Sequence, residues 1–116
     1  MDLLSTAVAT VESDGDPYTL VEVSGEADVT NCDSLRELLD AEVAKQPRTM
    51  IIDLSGLRFM DSPALHVILR ANRAMDRLGG VLALASPREP VAKMLRLTAA
   101  DQLIPVYASV REATAG

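Results

Sequence analysis

Two short apolar segments, each followed by an amphipathic helical pattern, restrict the possible folds of this chain most strongly. The segments are residues 50–54 and 81–85, and Asp53 is the one charged residue in either of them. Strands with so few polar residues are typical of a parallel sheet that is covered on both faces. Because strands that alternate with helices are joined by right-handed crossovers, the pattern predicts an α/β fold.

The beginning of the chain predicts a β-hairpin. Residues 7–12 and 18–23 have the composition of strands, and the five residues between them, 13–17, are all turn formers. A hairpin at this place would add an antiparallel strand to one edge of an otherwise parallel sheet. A mixed sheet is therefore expected.

Helix ends can be located from residues that favour them. Thr30 resembles the cap of a first helix that Pro47 ends. Ser62 is predicted to cap a second helix, with Pro63 as its first helical residue and Gly79 at its end. The remaining predicted elements are a helix over residues 86–97, a strand over 103–107 and a final helix capped by Ser109 with Glu112. The predicted order is β-β-α-β-α-β-α-β-α, with a mixed sheet of about five strands.

Length and charge limit the classes of function. The 116 residues are expected to form one domain, residues 1–116, and the net charge of −6 disfavours nucleic acid and anionic membranes as partners. One cysteine and one histidine, Cys32 and His66, predict neither a disulfide nor a zinc site, and no cofactor is indicated. Since no apolar run approaches ~20 residues and no basic leader is visible, a cytoplasmic location without a membrane span is expected.

A segment in the middle of the chain resembles a known family. Residues 53–62, with the sequence DLSGLRFMDS, run into the helical segment 65–69 and are similar to the signature of STAS domains. More narrowly, they resemble bacterial anti-sigma factor antagonists. Residues 24–28 are similar to the turn before the first helix of that family, and residues 97–107 to its end segment. The resemblance therefore covers almost the whole chain.

The resemblance implies a regulatory function. Members of the family bind an anti-sigma factor that is also a serine kinase, which then phosphorylates one serine of the antagonist, and a phosphatase restores the unmodified form. That serine corresponds to Ser62, and the sequence departs from the family at Pro63 and Ala64, where Ser and Gly are usual. The residues expected to contact the partner are Asp28, Met60, Asp61, Pro63, Ala64 and His66.

Physical chemistry independently permits a switch at Ser62. A helix N-terminus tolerates a phosphate, which adds about −1.5 to −2 charges. A partner shaped for the uncharged serine would meet this negative charge and bind less well.

Other interpretations stay open. Ser62 is only a helix cap in the first alternative, in which the chain is a scaffold of a stressosome-like assembly or the subunit of a transporter. Met60 can equally be a staple contact onto the helix. An enzyme using Ser62 and His66 is disfavoured, because no nucleophile-elbow motif is present.

Three further features have structural and functional interpretations. His66, Arg70, Arg73 and Arg77 form a basic stripe, interpreted as a solvated helix face or as a docking edge for an acidic partner. Asp53 is expected to hold the following Ser55–Gly56 segment by a hydrogen bond. Cys32 is expected to pack as a small apolar residue.

Overall fold

The structure is a computed structural model that describes residues 3–12 and 15–115. Ser13 and Asp14 of the predicted turn lie outside the described residues. The strands are β1 (Leu4–Val11), β2 (Tyr18–Ala27), β3 (Thr49–Met60), β4 (Val81–Ala85) and β5 (Val106–Tyr107). The helices are α1 (Cys32–Ala44), α2 (Ser62–Arg77), α3 (Val91–Leu97) and α4 (Val110–Ala115), with a 3₁₀ turn at Ala100–Gln102.

The five strands form one mixed sheet in the order β1-β2-β3-β4-β5. The edge strand β1 pairs with β2 in the antiparallel direction, and all other neighbours are parallel. The predicted α/β fold, element order and antiparallel edge are therefore confirmed. Because β2 and β3 are parallel, their carboxyl ends meet at the same edge of the sheet, where Ala27 pairs with Met60.

The main core lies between the sheet and its helices. Buried side chains of α1 and α2, such as Leu39 and Ile68, pack in one cluster with Ile52 and Leu84 of the two central strands. Side chains alternate along a strand, so the equally buried Ile51 lies on the opposite face. There α4 contacts β3, β4 and β5. Both central strands are covered on both faces, as their apolar sequences predicted.

Several element boundaries differ from the prediction. β1 is Leu4–Val11 and not residues 7–12, and β2 continues to Ala27 beyond the predicted end at residue 23, because its pairing with β1 and β3 extends that far. β3 continues beyond the predicted end at Leu54, because residues up to Met60 pair with β2 after a shift in register. The third helix begins at Val91 and not in the segment that starts at residue 86, because Pro90 disfavours a helical conformation at the residue before it. β5 contains only Val106–Tyr107, because a 3₁₀ turn occupies the chain before it and Pro105 has no backbone N–H.

Several local predictions are confirmed. Gly79 follows the end of α2 with φ +77°, and the Gly80 N–H donates to the Met75 carbonyl at 2.9 Å, as in a glycine-ended helix. The Asp53 carboxylate accepts from the Ser55 N–H at 2.9 Å, and Cys32 is buried. Among residues 3–12 and 15–115, none of the helices combines the length and the hydrophobicity of a membrane span.

Candidate functional site

The candidate site lies where β2 and β3 end together. Beyond Ala27 the chain enters a loop of residues 28–31, which we call the Asp28 loop, and beyond Met60 it enters α2. The Asp61 N–H donates to the Ala27 carbonyl at 3.2 Å, so the last backbone contact between the strands leads directly into the site. The parallel pairing thus brings two segments together that are about 30 residues apart in sequence.

Asp61 holds the two segments together. Its Oδ1 accepts from the Ala64 N–H at 3.1 Å, and its Oδ2 accepts from the Val29 N–H of the Asp28 loop at 2.9 Å. One carboxylate therefore caps α2 and also fixes the position of the loop. The prediction that Ser62 is the cap is wrong: Asp61 has the extended backbone of an N-cap, and Ser62 is the first helical residue. Aspartate is as favourable a cap as serine, and Pro63 is tolerated in the first turn because the N–H it lacks would have no helical partner.

The Asp28 loop is ordered by its own polar side chains. The Asp28 Oδ1 accepts from both the N–H and the hydroxyl of Thr30, and the Asp28 N–H donates to the Asn31 Oδ1 at 2.9 Å. Asn31 also donates through Nδ2 to the Glu26 carbonyl at 2.9 Å. Thr30 was predicted to cap α1, but Asn31 occupies that position and makes no side-chain capping bond, since its oxygen accepts from Asp28. The hydroxyl of Thr30 is directed to Asp28.

The hydrogen bonds from Thr30, foremost that of its hydroxyl, lower the pKa of Asp28 below its ordinary value. A carboxylate with a lowered pKa stabilises the fold above its unfolded pKa, and this contribution is lost as the pH falls through the folded pKa. We predict that Thr30→Val raises the pKa of Asp28 towards the ordinary value, measured by NMR titration of the carboxyl carbon. Thr98→Val, which removes a hydroxyl bonded to the Met94 carbonyl, is the control. An unchanged Asp28 pKa in Thr30→Val would contradict this account of the loop.

The backbone just before the Asp28 loop requires a glycine, Gly25. Its φ of +92° is a conformation that other residues rarely adopt. A Cβ at this position would lie 1.7 Å from the carbonyl oxygen of Leu3, which accepts from the N–H of Glu26 at 3.0 Å. The glycine therefore lets the antiparallel edge strand pass closely beside β2 just before the site.

The structure divides the predicted site residues into surface and core. Ser62, Pro63 and His66 are exposed, and Asp28 and Asp61 are half-buried. Met60 and Ala64 have 4% and 0% of their surface exposed, so both side chains belong to the core. The methyl group of Ala64, which departs from the glycine usual in the family, therefore does not project onto the surface that a partner would contact.

Two exposed apolar side chains beside the site were not singled out from the sequence. Val29 is 66% exposed, and its N–H bonds to Asp61; Phe59, two residues before Asp61, is 43% exposed. Single exposed apolar residues are common, but next to the site these two side chains offer a partner apolar area to bury. An apolar residue inside an otherwise polar turn, as Val29 is, is the sequence signal for such a contact.

The basic stripe of α2 continues from this surface along the helix. His66, Arg70, Arg73 and Arg77 are all exposed. Arg70 forms an ion pair with Asp40 at 3.4 Å, whereas within the described ranges neither Arg73 nor Arg77 takes part in one. No hydrogen bond in this part of the chain joins Ser62 to His66, and the described residues contain no cluster of acidic, histidine or cysteine side chains suited to a metal.

Comparisons with known proteins agree with this architecture. The sequence model of the STAS domain matches residues 7–113. An anti-sigma F factor antagonist from Paenibacillus polymyxa is 30% identical over 89 residues, which is 76% of each chain. The crystal structure of an anti-sigma factor antagonist from Mycobacterium paratuberculosis is 27% identical, with a TM-score of 0.84 over 97% of this chain and 92% of that one.

A further solved structure is similar in fold alone. The structure of an anti-sigma-factor antagonist (STAS) domain protein from Planctomyces limnophilus is 23% identical, with a TM-score of 0.75 over 93% of this chain and 92% of that one. The resemblance noted in residues 53–62 is thus confirmed by matches along nearly the whole length. The chain belongs to the STAS domain family.

Proposed function

We propose that this protein is an anti-sigma factor antagonist that binds its partner through the Asp28 loop and the start of α2, and that phosphorylation of Ser62 ends the binding. The observation that carries the proposal is the position of Ser62, exposed at the first residue of α2 directly beside Asp61. The names of the relatives from Paenibacillus polymyxa and Mycobacterium paratuberculosis support the class of partner.

The capping arrangement supports Ser62 as the phosphoacceptor. A serine that caps a helix uses its oxygen to accept a backbone N–H and must release that bond to react. Here Asp61 provides the cap, and within the described residues the Ser62 hydroxyl makes no hydrogen bond. The hydroxyl can therefore enter the active site of a kinase without unwinding the helix. The alternative of a scaffold or a transporter subunit assumed that Ser62 is only a helix cap, and that assumption about Ser62 is wrong. The capping bond does not test the alternative function itself.

A phosphate at Ser62 would change the surface more than the fold. It would add about −1.5 to −2 charges next to Asp61, while the helix N-terminus offsets part of this charge for the folded domain. The carboxylate of Asp61 is already engaged by Ala64 and Val29 and stays in place. A partner that packs on this surface would have to desolvate two adjacent anionic groups, so the phosphate opposes binding by charge.

The surface around Ser62 favours a partner that buries apolar groups and contributes acidic ones. Val29, whose N–H bonds to Asp61, and Phe59, two residues before Asp61, provide exposed apolar area. Farther along α2, the stripe that begins at His66 provides positive charge at Arg73 and Arg77, which take part in no ion pair in the described part of the chain. In this proposal the protein is a binding module and a kinase substrate without catalysis of its own, and a phosphatase reverses the modification.

Phosphorylation mapping tests the assignment. We expect a kinase-type anti-sigma factor of the source organism, incubated with ATP and this protein, to transfer one phosphate, located at Ser62 by mass spectrometry. Ser62→Ala should accept none, and Ser55→Ala, which removes another exposed serine, should be modified like the parent. A phosphate at a different residue, or none from a kinase that demonstrably binds the protein, would refute the assignment.

A further inference from the structure

The edge strand β1 has none of the features that usually protect a sheet edge. Residues 4–11 contain no charged residue and no proline, although 24% of the chain is charged. The pairing with β2 runs without a bulge, and residues 5–10 are all exposed. Natural sheet edges are normally protected by lysines, prolines, bulges or a covering element. An eight-residue edge without them is suited to pair with another strand.

The direction of the backbone groups identifies the residues that would pair. The Leu3 carbonyl accepts from the Glu26 N–H at 3.0 Å, in register with the ladder between β1 and β2. In an antiparallel pair every second residue bonds to the partner strand, and the residues between them direct N–H and C=O away from it. The backbone groups of Thr6, Val8 and Thr10 therefore face outward from the sheet.

The sequence of this edge is symmetric. Residues 6–10 read Thr-Ala-Val-Ala-Thr in either direction, with Val8 at the centre. If a second copy approaches in the antiparallel direction about a twofold axis at Val8, Thr6 lies opposite Thr10 and Val8 lies opposite Val8. This register places every outward-facing residue of the stretch opposite an outward-facing residue of the second copy. Cross-strand pairs of threonine and of β-branched residues stabilise such a ladder.

We propose that β1 is the interface of a homodimer, in which two copies pair β1 with β1 about Val8 and form one continuous sheet. A second copy fits this edge better than a foreign strand because the edge is self-complementary, as a twofold interface requires. Val8 also lies opposite Val21 of β2 within one chain, so a row of four valines would cross the dimer. The other edge strand, β5, has two residues and is too short to pair with a further copy. Assembly therefore ends at the dimer and does not continue into a fibre.

Charge predicts how this dimer responds to salt. Each copy carries a net charge of −6, so two copies repel one another over a distance. The uncharged edge contributes nothing to this repulsion, which comes from charges elsewhere on the two copies. Salt screens the repulsion between those charges, with a Debye length of about 8 Å at physiological ionic strength. We therefore expect the dimer to become more stable as salt increases, which is opposite to the behaviour of an interface held by ion pairs.

Analytical ultracentrifugation over a concentration series tests the interface. Val8→Lys places two positive charges opposite one another at the axis, and we expect it to weaken dimerisation about tenfold or more. The matched control is Val81→Lys, which makes the same change at an exposed valine at the start of β4. It should dimerise like the parent. A parent that stays monomeric at every concentration and salt, or equal weakening by both substitutions, would overturn the proposal.

Cross-linking gives a second test that does not depend on destabilising the dimer. In the proposed register the two Val8 Cα atoms lie about 5.5 Å apart, which is within the range of a disulfide. Val8→Cys should therefore form a covalent dimer under mild oxidation much faster than Val81→Cys does. Equal rates would overturn the proposed register. Val8 lies opposite Val21, well before the end of β2 that leads into the site, so Val8→Lys should still accept a phosphate at Ser62. This result separates the inference from the proposed function.

Discussion

Ser62→Asp is expected to weaken binding to the anti-sigma factor by roughly thirtyfold or more while the domain stays folded. The new carboxylate would be desolvated beside Asp61 when the partner binds, and an unpaired charge buried in an interface costs about 2–5 kcal/mol. In the isolated domain the same charge lies in the first turn of α2, which has no acidic residue, so the helix dipole favours it. Isothermal titration calorimetry measures the affinity, and thermal melts measure the stability.

Two variants separate the charge at Ser62 from other effects. Gln46→Glu adds the same charge after the end of α1, at the opposite edge of the sheet, and should bind like the parent. Ser62→Ala should bind like the parent as well. It should also change the free energy of unfolding by less than about 0.5 kcal/mol, because Asp61 and not Ser62 caps the helix. If Ser62→Asp binds as tightly as the parent, Ser62 does not lie in the interface.

Asp61→Ala is expected to have the largest effect on the geometry of the site. The substitution removes the cap of α2, which costs about 1–2 kcal/mol of the free energy of unfolding. It also releases the Val29 N–H, whose bond to Asp61 connects the Asp28 loop to the helix. We therefore expect a lower melting temperature and weaker binding of the partner in the same variant. Urea unfolding and calorimetry measure the two effects, and a variant as stable as the parent would contradict the capping role.

Asp61→Asn distinguishes capping from loop attachment. In asparagine an NH₂ group, which is a donor, replaces one of the two carboxylate oxygens, so the backbone amide that bonded to that oxygen, that of Ala64 or of Val29, loses its acceptor. We expect one of these two amides to stay protected in hydrogen exchange while the other exchanges faster than in the parent. Asp61→Ala should accelerate both amides. Equal protection of both amides in Asp61→Asn would contradict the arrangement in which each oxygen of Asp61 accepts from one of the two amides.

The order of elements could be predicted because it depends on local patterns. The apolar segments that became β3 and β4 are covered on both faces by helices, and their composition directly reflects that burial. Boundaries were less predictable where the decisive partner lies far away in sequence. The last residues of β3 form a strand because β2 pairs with them, and Met60 is buried for the same reason. No local pattern contains that information.

The site was predicted in position but not in its connections. Asp61 and Ser62 are adjacent and both favour an N-cap position, so propensity alone cannot choose between them. The choice is made by tertiary structure, since the second oxygen of Asp61 reaches Val29, 32 residues earlier in the chain. Val29, which this contact holds, and Phe59, two residues before Asp61, are both exposed. Neither exposure could be derived from the spacing of residues along one segment.

The phosphorylated protein itself provides the most direct test of the switch at Ser62. The parent and the chain phosphorylated at Ser62 are titrated into the same anti-sigma factor by calorimetry, after NMR spectra have established that both are folded. The account predicts tight binding of the parent, loss of affinity of thirtyfold or more on phosphorylation, and recovery after treatment with a phosphatase. Equal affinity of the two folded forms would contradict it.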